Sequence, residues 1–341
     1  MAEMSRLAYF KFEGGNNVQA IISQLIELLP KNTDLSSIES LITSSVPSNS
    51  KANGEKILRK ILKQQDFDLV GLYNGLDVKT DKLIPTADAQ AFLCKNIDQK
   101  IAILAFRGTE KKLSDIKADV SVALEETHNK NGSFLMHKGY LNQFNSIEKQ
   151  INDDLNNGTL KDYQLFITGH SLGGALAITA TKFLANDITG ACYTFGSPPV
   201  GTKDFDRDIR TPIYRIINHV DIVPRLPSPF LVYIIRFIAF IIGWALQFIP
   251  IIGPAIKKSS YYGQFSNLLT DAQKYRQSGY GSFLVGEGND VRVRYNVGPT
   301  DRIKWWIKQS KNSFRGDIKP LLDHSINLYS EKLAIWANNR K

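Results

Sequence analysis

Hydrophobic positions at helical spacing dominate the first part of the chain. Residues 18–29 (VQAIISQLIELL) and 55–62 (EKILRKIL) place apolar side chains three and four positions apart, and Pro30 ends the first pattern. The stretch 43–54 (TSSVPSNSKANG) between them is rich in turn-forming residues. Residues 1–65 are therefore predicted to form a helical lead-in that packs on the core.

Short, continuously apolar runs then alternate with helical patterns. Strands are predicted at 69–73, 89–94, 101–106, 164–168, 191–195 and 213–217, and helices at 139–155 and 174–185. Because strands buried on both faces lack polar alternation, this order predicts an α/β fold with a mainly parallel central sheet flanked by helices. The predicted core comprises residues 66–227 together with 320–341.

Residues 228–319 differ in character and are predicted to be an insert. They contain the run 230–253 (FLVYIIRFIAFIIGWALQFIPIIG), a possible hairpin at 283–295, and the basic stretch 305–319 with Trp305 and Trp306. Two interpretations of the basic stretch stay open: a solvated face with an aromatic anchor, or contact with a membrane surface.

Composition and charge narrow the class of protein. The 341 residues are 43% hydrophobic and 22% charged, which are globular values, and the net charge is +9. This charge favours an anionic membrane over nucleic acid as a partner, since no nucleic-acid motif accompanies it. The two cysteines, Cys94 and Cys192, lie in apolar runs and are predicted to be buried. Residues 1–20 hold no apolar stretch of signal-peptide length, so a cytoplasmic or peripheral membrane location is expected, with non-classical export left open.

The strongest local motif is QLFITGHSLGGALAI at 164–178. An apolar strand, the sequence Gly-His-Ser-Leu-Gly and a small-residue helix form the setting of a nucleophile elbow. Ser171 is the predicted nucleophile, at a helix N-terminus that stabilises developing negative charge. Glycines flank it because side chains there would collide with the neighbouring strand and helix.

A serine hydroxyl needs a base, and the base needs an orienting acid. In this fold the chain order is serine, acid, histidine. Of the five histidines, His324 is the candidate that follows Ser171 at a suitable distance, because His170 lies on the elbow with its side chain pointing elsewhere and His219 is too close to the acid. The predicted acid is Asp221, in the loop after an apolar strand.

Five further residues are candidates for roles near the triad. Asp206 and Asp208 are expected to be solvated, and Asp323 is expected to cap the C-terminal helix. Two N–H donors are also needed for an oxyanion: the backbone of Leu172 after the nucleophile, and Thr109 in the strand-ending turn Arg107-Gly108-Thr109. This chemistry requires no metal and no cofactor.

The sequence resembles the class 3 (fungal-type) lipase family of the α/β-hydrolase fold. Seven ordered blocks carry the resemblance: AFRGTE, SDIKADV, HKGYLNQFNSI, ITGHSLGGALA, YTFGSPPVG, INHVDIVPRLP and DHSINLY. It covers residues 66–227 and 320–337, and it implies the same triad and oxyanion hole. Pro199 and Ile116 depart from the family pattern at positions without a catalytic role, and Asp119 and His137 match it as expected structural residues.

The run 230–253 is long enough to cross a bilayer, yet it lies between Asp221 and His324. A single crossing would separate these two residues, so a span conflicts with the triad. Monotopic membrane contact is favoured over a buried lid or a dimer contact. The expected lid or membrane contacts are Phe230, Ile234, Phe237, Phe240, Trp244 and Phe248, with flanking Lys257, Lys258, Arg292, Arg294 and Lys304.

The expected function is a serine carboxylester hydrolase that cleaves acyl esters of membrane glycerolipids through an acyl-enzyme. The positive charge favours a phospholipase A1 or lysophospholipase over a neutral triacylglycerol lipase. A catalytically silent lipid-binding protein on the same fold, or an acyltransferase, is the alternative.

Overall fold

A mixed sheet of eight strands organises the described part of the chain. The computed structural model describes residues 1–9, 54–75, 89–108, 123–129, 132–227, 270–295, 297–298, 300–302, 304–305 and 323–340. Its strands are β1 (Phe67–Asn74), β2 (Gln90–Asn96), β3 (Ile101–Phe106), β4 (Leu124–Asn129), β5 (Gly132–His137), β6 (Gln164–His170), β7 (Thr189–Phe195), β8 (Ile213–Asn218), β9 (Tyr280–Val285) and β10 (Arg292–Tyr295). Its helices are α1 (Ala2–Leu7), α2 (Gly54–Lys63), α3 (Lys138–Asn156), α4 (Leu172–Leu184) and α5 (Ile326–Asn338).

The strand order is β1-β2-β3-β6-β7-β8-β9-β10, and β4 with β5 forms a separate two-stranded ribbon. The five strands from β3 to β9 in this order run parallel, while β1, β2 and β10 are antiparallel at the two edges. All six strands predicted from the sequence are present. The predicted mainly parallel sheet is therefore confirmed.

Helices cover both faces of this sheet. On one face, α3 contributes Phe144, Ile147 and Ile151, all fully buried against the small-residue helix α4 and the strands. On the other face, Leu58 and Leu62 of α2 pack with Phe92 of β2 in a cluster that also includes residues of α1. The predicted helix at 18–29 lies outside the described residues.

Part of the predicted insert at 228–319 belongs to the central sheet instead. Residues 280–295 form the expected hairpin, but β9 also pairs in parallel with β8, in the register Tyr214 with Tyr280 and Asn218 with Leu284. This part of the stretch predicted as an insert thus extends the central sheet. The physical reason is that β8 without β9 would expose a row of unpaired backbone groups, and the apolar strand 280–285 satisfies them.

Both cysteines are buried and free, as predicted. The apolar run 230–253, with its predicted contact residues, lies outside the described residues. Among the helices that are described, none combines the length and the apolar character needed to cross a bilayer.

Candidate active site

Ser171 sits at the sharp turn between β6 and α4. Its backbone is in a conformation rare for side-chain-bearing residues, with φ 57° and ψ −126°. The two flanking glycines make the turn sterically possible, because a Cβ at Gly169 would lie 2.1 Å from the carbonyl oxygen of Gly173, and one at Gly173 would lie 2.3 Å from that of Phe106. The chain therefore approaches itself and β3 closely, as expected for a nucleophile elbow.

Three predicted residues meet at this turn. The Nε2 atom of His324 lies 2.8 Å from the Oγ atom of Ser171. The Nδ1 atom of the same ring lies 2.9 and 3.0 Å from the two carboxylate oxygens of Asp221. A neutral His324 that donates its Nδ1–H to the carboxylate leaves Nε2 as an acceptor for the serine proton. Their catalytic roles remain a prediction.

The carboxylate of Asp221 is completely buried and well supplied with donors. Its Oδ1 accepts the backbone N–H of Val223 at 3.0 Å, and its Oδ2 accepts the hydroxyl of Tyr329 at 2.6 Å. Burial, together with the neighbouring carboxylate, holds the pKa of Tyr329 well above its usual value, so the phenol stays protonated and donates. These bonds compensate the cost of burying a charge.

A second layer of polar side chains supports the acid. Asn218, fully buried at the end of β8, donates its amide to the carbonyl oxygen of Asp323 at 2.8 Å. Its side-chain oxygen accepts from the ammonium of Lys332 at 2.8 Å, and its backbone N–H donates to the hydroxyl of Tyr329 at 2.8 Å. The end of β8 is thereby tied to α5 and to the loop that carries His324.

His170 points away from the serine hydroxyl, as expected. Its Nδ1 lies 2.7 Å from the hydroxyl of Tyr9, and its Nε2 lies 2.7 Å from the backbone carbonyl oxygen of His324. Burial holds the pKa of His170 well below its usual value, and the neighbouring imidazole lowers it further. The ring is therefore neutral.

The predicted oxyanion donors are only partly described. Leu172 is the first residue of α4, and the N–H of such a residue has no partner within its own helix. It directly follows Ser171, so it keeps its predicted role as one of the two oxyanion donors. Thr109 lies outside the described residues, although the preceding Gly108 is buried beside the elbow.

Other acids and histidines take structural positions. Asp323 does not cap α5, whose N-cap is Ser325. Instead, its Oδ2 accepts the backbone N–H of Val220 at 3.3 Å. Asp206 is half-buried rather than solvated, and burial raises its pKa. The imidazole of His137 caps α3 by accepting the N–H of Tyr140, in line with its expected structural role.

Several supporting residues had no signal in the sequence analysis. These residues are Tyr9 after α1, Asn218 in β8, and Tyr329 and Lys332 in α5, and they are ordinary members of their local patterns. Two of them lie in blocks of the family resemblance: Asn218 in INHVDIVPRLP and Tyr329 in DHSINLY. Their positions follow from packing between segments far apart in the chain.

The elbow at Ser171 on a mainly parallel, helix-covered sheet defines the α/β-hydrolase fold. Residues 103–231 match the sequence profile of the family described as Lipase (class 3). A lipase of Rhizomucor miehei is 28% identical over 187 residues, 50% of this chain and 50% of that protein. Phospholipase A1-IIbeta of Arabidopsis thaliana is 27% identical over 184 residues, 46% of this chain and 42% of that protein. Lipase II from Rhizopus niveus aligns with a TM-score of 0.49 at 18% identity, over 75% of this chain and 77% of that chain.

Six of the seven sequence blocks lie within residues 103–231, and this match supports the resemblance to the class 3 lipase family. It spans half or less of the length of the curated relatives it matches. The substrates of those relatives can therefore be carried over to this chain only as a proposal.

Proposed function

We propose that this protein is a serine carboxylester hydrolase that cleaves acyl esters of membrane glycerolipids. The observation that carries the proposal is the continuous contact from Ser171 through His324 to Asp221, with both hydrogen-bond distances between 2.8 and 3.0 Å. Nucleophile, base and orienting acid within hydrogen-bond reach are the requirements of acyl transfer.

The reaction follows from this arrangement. The Oγ atom of Ser171 attacks the ester carbonyl carbon while its proton moves to Nε2 of His324. The carbonyl oxygen becomes an oxyanion, which the N–H of Leu172 and a donor at Thr109 stabilise. The imidazolium, held by Asp221, then gives its proton to the leaving alcohol, and an acyl-serine remains. Water, deprotonated by the same imidazole, releases the fatty acid.

The substrate class rests on charge and on the relatives. The net charge of +9 favours an anionic lipid surface. Strand β10 lies in the stretch that was predicted as an insert and forms an edge of the sheet. It exposes Arg292, Arg294 and Tyr295. One relative is named a phospholipase A1 and another a lipase, so phospholipid and triacylglycerol both belong in the assay.

Contact with the membrane is the second part of the proposal. Ser171 is only 4% exposed, so its side chain is largely shielded from water in this arrangement. The run 230–253 between the acid and the base is apolar throughout, and a single crossing there would separate two residues that are in contact. We therefore propose that this run lies on one leaflet and that the site opens there.

The test combines a serine-directed probe with a lipid panel. A fluorophosphonate should label the wild type and not Ser171→Ala, and the wild type alone should release fatty acid from phosphatidylglycerol, phosphatidylcholine or triolein. Labelling should speed up when vesicles containing phosphatidylglycerol are added. Labelling without release from any ester would point to the lipid-binding alternative, and equal release by both proteins would refute the hydrolase.

A further inference from the structure

The segment 1–9 is fixed against both the elbow strand and the C-terminal helix. The buried hydroxyl of Ser5 lies 2.8 Å from that of Thr168 in β6, which itself donates to the carbonyl oxygen of Tyr193 at 2.8 Å. Ser5 is therefore the donor to Thr168. On the other side, the hydroxyl of Ser330 in α5 donates to the carboxylate of Glu3. The last residue of this segment, Tyr9, is thereby held over the elbow.

The hydrogen-bond directions from Tyr9 to the base follow from elementary chemistry. A backbone carbonyl only accepts, so the Nε2 atom of His170 carries the hydrogen that bonds His324 at 2.7 Å. A neutral imidazole has a single N–H, so Nδ1 is the acceptor and the hydroxyl of Tyr9 donates at 2.7 Å. The chain of donors runs from Tyr9 through His170 to the backbone of His324.

We propose that Tyr9 is a positioning residue of the hydrolase, which holds the backbone of His324 in place through His170. This inference rests on the proposed function. Tyr9 acts by fixing the ring of His170 in the tautomer and orientation that hold the carbonyl of His324.

The loop that carries His324 is not fixed by a side-chain cap of the helix that follows it. Helix α5 begins only at Ile326, and its N-cap, Ser325, makes no side-chain capping bond. The carbonyl oxygens of Asp323 and His324 are instead held by Asn218 and His170. Because the imidazole must reach two partners at once, a displacement of the loop by about 1 Å would cost up to about 100-fold in rate.

A second contact of the same hydroxyl provides the competing explanation. A Cβ placed on Gly108 would lie 2.0 Å from the hydroxyl oxygen of Tyr9, so the phenol also lies against the turn that precedes Thr109. In that case, loss of the hydroxyl would disturb the turn before Thr109 directly. The experiment must therefore separate action through His170 from action at Gly108.

The test is a double-mutant cycle with Tyr9→Phe, His170→Leu and both together. Tyr193→Phe is the matched control, because its ring belongs to the same apolar cluster as that of Tyr9. Two quantities are measured: the rate constant of fluorophosphonate labelling, normalised to the labelled end point, and kcat and KM on the preferred ester. The end point reports the folded fraction, so a purely structural loss lowers it without changing the rate constant.

Removal of one hydrogen bond predicts that Tyr9→Phe lowers kcat and the labelling rate about threefold to tenfold, with KM changed by less than about twofold. The double variant should be no slower than His170→Leu, as expected for residues that act in one chain. Rates equal to those of Tyr193→Phe would overturn the proposal. Additive losses in the double variant would also overturn it, in favour of direct action at Gly108. A wild type without labelling that depends on Ser171 would instead refute the underlying hydrolase.

Discussion

The hydroxyl of Tyr329 is the best place to test how the site depends on the fold. This fully buried phenol donates to Asp221 at 2.6 Å and accepts the backbone N–H of Asn218 at 2.8 Å. Tyr329→Phe removes both bonds and keeps the ring, which packs edge-on against Phe195. The change therefore isolates one oxygen atom.

The expected loss of stability can be worked out from these two bonds. A hydrogen bond to a charged group contributes about 1.5–3 kcal/mol, and a buried N–H left without a partner costs about 1–3 kcal/mol. Since Asp221 keeps its bonds from His324 and Val223, the lower half of the combined range applies, and we expect a loss of about 3 kcal/mol in the free energy of unfolding. The turnover should fall about tenfold, because the carboxylate that orients the base loses one of its fixed donors.

Urea unfolding followed by near-ultraviolet circular dichroism measures the first quantity, and initial rates of ester hydrolysis measure the second. Tyr193→Phe again serves as the control, with an expected change below about 0.5 kcal/mol. A loss below about 1 kcal/mol for Tyr329→Phe would refute the reasoning, because it would mean that neither bond stabilises the folded state by the usual amount.

Three further changes test other parts of the site. Asp221→Asn should lower kcat by about 10⁴ in steady-state kinetics, since the base loses its orienting charge, and a loss below tenfold would contradict that role. Gly173→Ala should abolish labelling by the serine probe, because its Cβ would meet a backbone carbonyl at 2.3 Å, whereas Gly298→Ala, with its nearest contact at 3.8 Å, should label normally. The lowered pKa of His170 means that the unfolded chain binds the proton more readily. Its contribution is therefore full above a pH of about 6.5 and falls by at most about 1.4 kcal/mol per pH unit below it. His170→Leu should flatten this part of the stability curve between pH 7 and 5, as measured by urea unfolding at each pH, and an unchanged slope would contradict the reasoning.

The sequence predicted those features that depend on local pattern. The strands appear as apolar runs bounded by turn residues, and the elbow appears because glycines are required where α4 meets β3. Chain order and the loop after β8 were enough to select Asp221 and His324, which lie in contact with each other. Their roles in catalysis stay a prediction.

Features that depend on tertiary packing could not be predicted from the sequence. Asp323 lies just before a helix start, which is the pattern of an N-cap. Its carboxylate instead accepts the backbone N–H of Val220, 103 residues away in the chain. The contact of Tyr9 with His170 joins residues 161 apart. No periodicity encodes such a pairing, because it forms only when α1 packs against β6.

The burial of the site links its stability to its accessibility. Ser171, Asp221 and His324 are each at most 5% exposed. Their side-chain polar atoms bond one another, and Asp221 also accepts from Val223 and Tyr329. A network of this kind is costly to break at any single point, so the triad is held rigidly together with the ends of β6 and β8. We therefore expect the site to open through parts of the protein outside this network. Movement of the triad itself would leave a charged carboxylate unpaired, which costs about 3–5 kcal/mol.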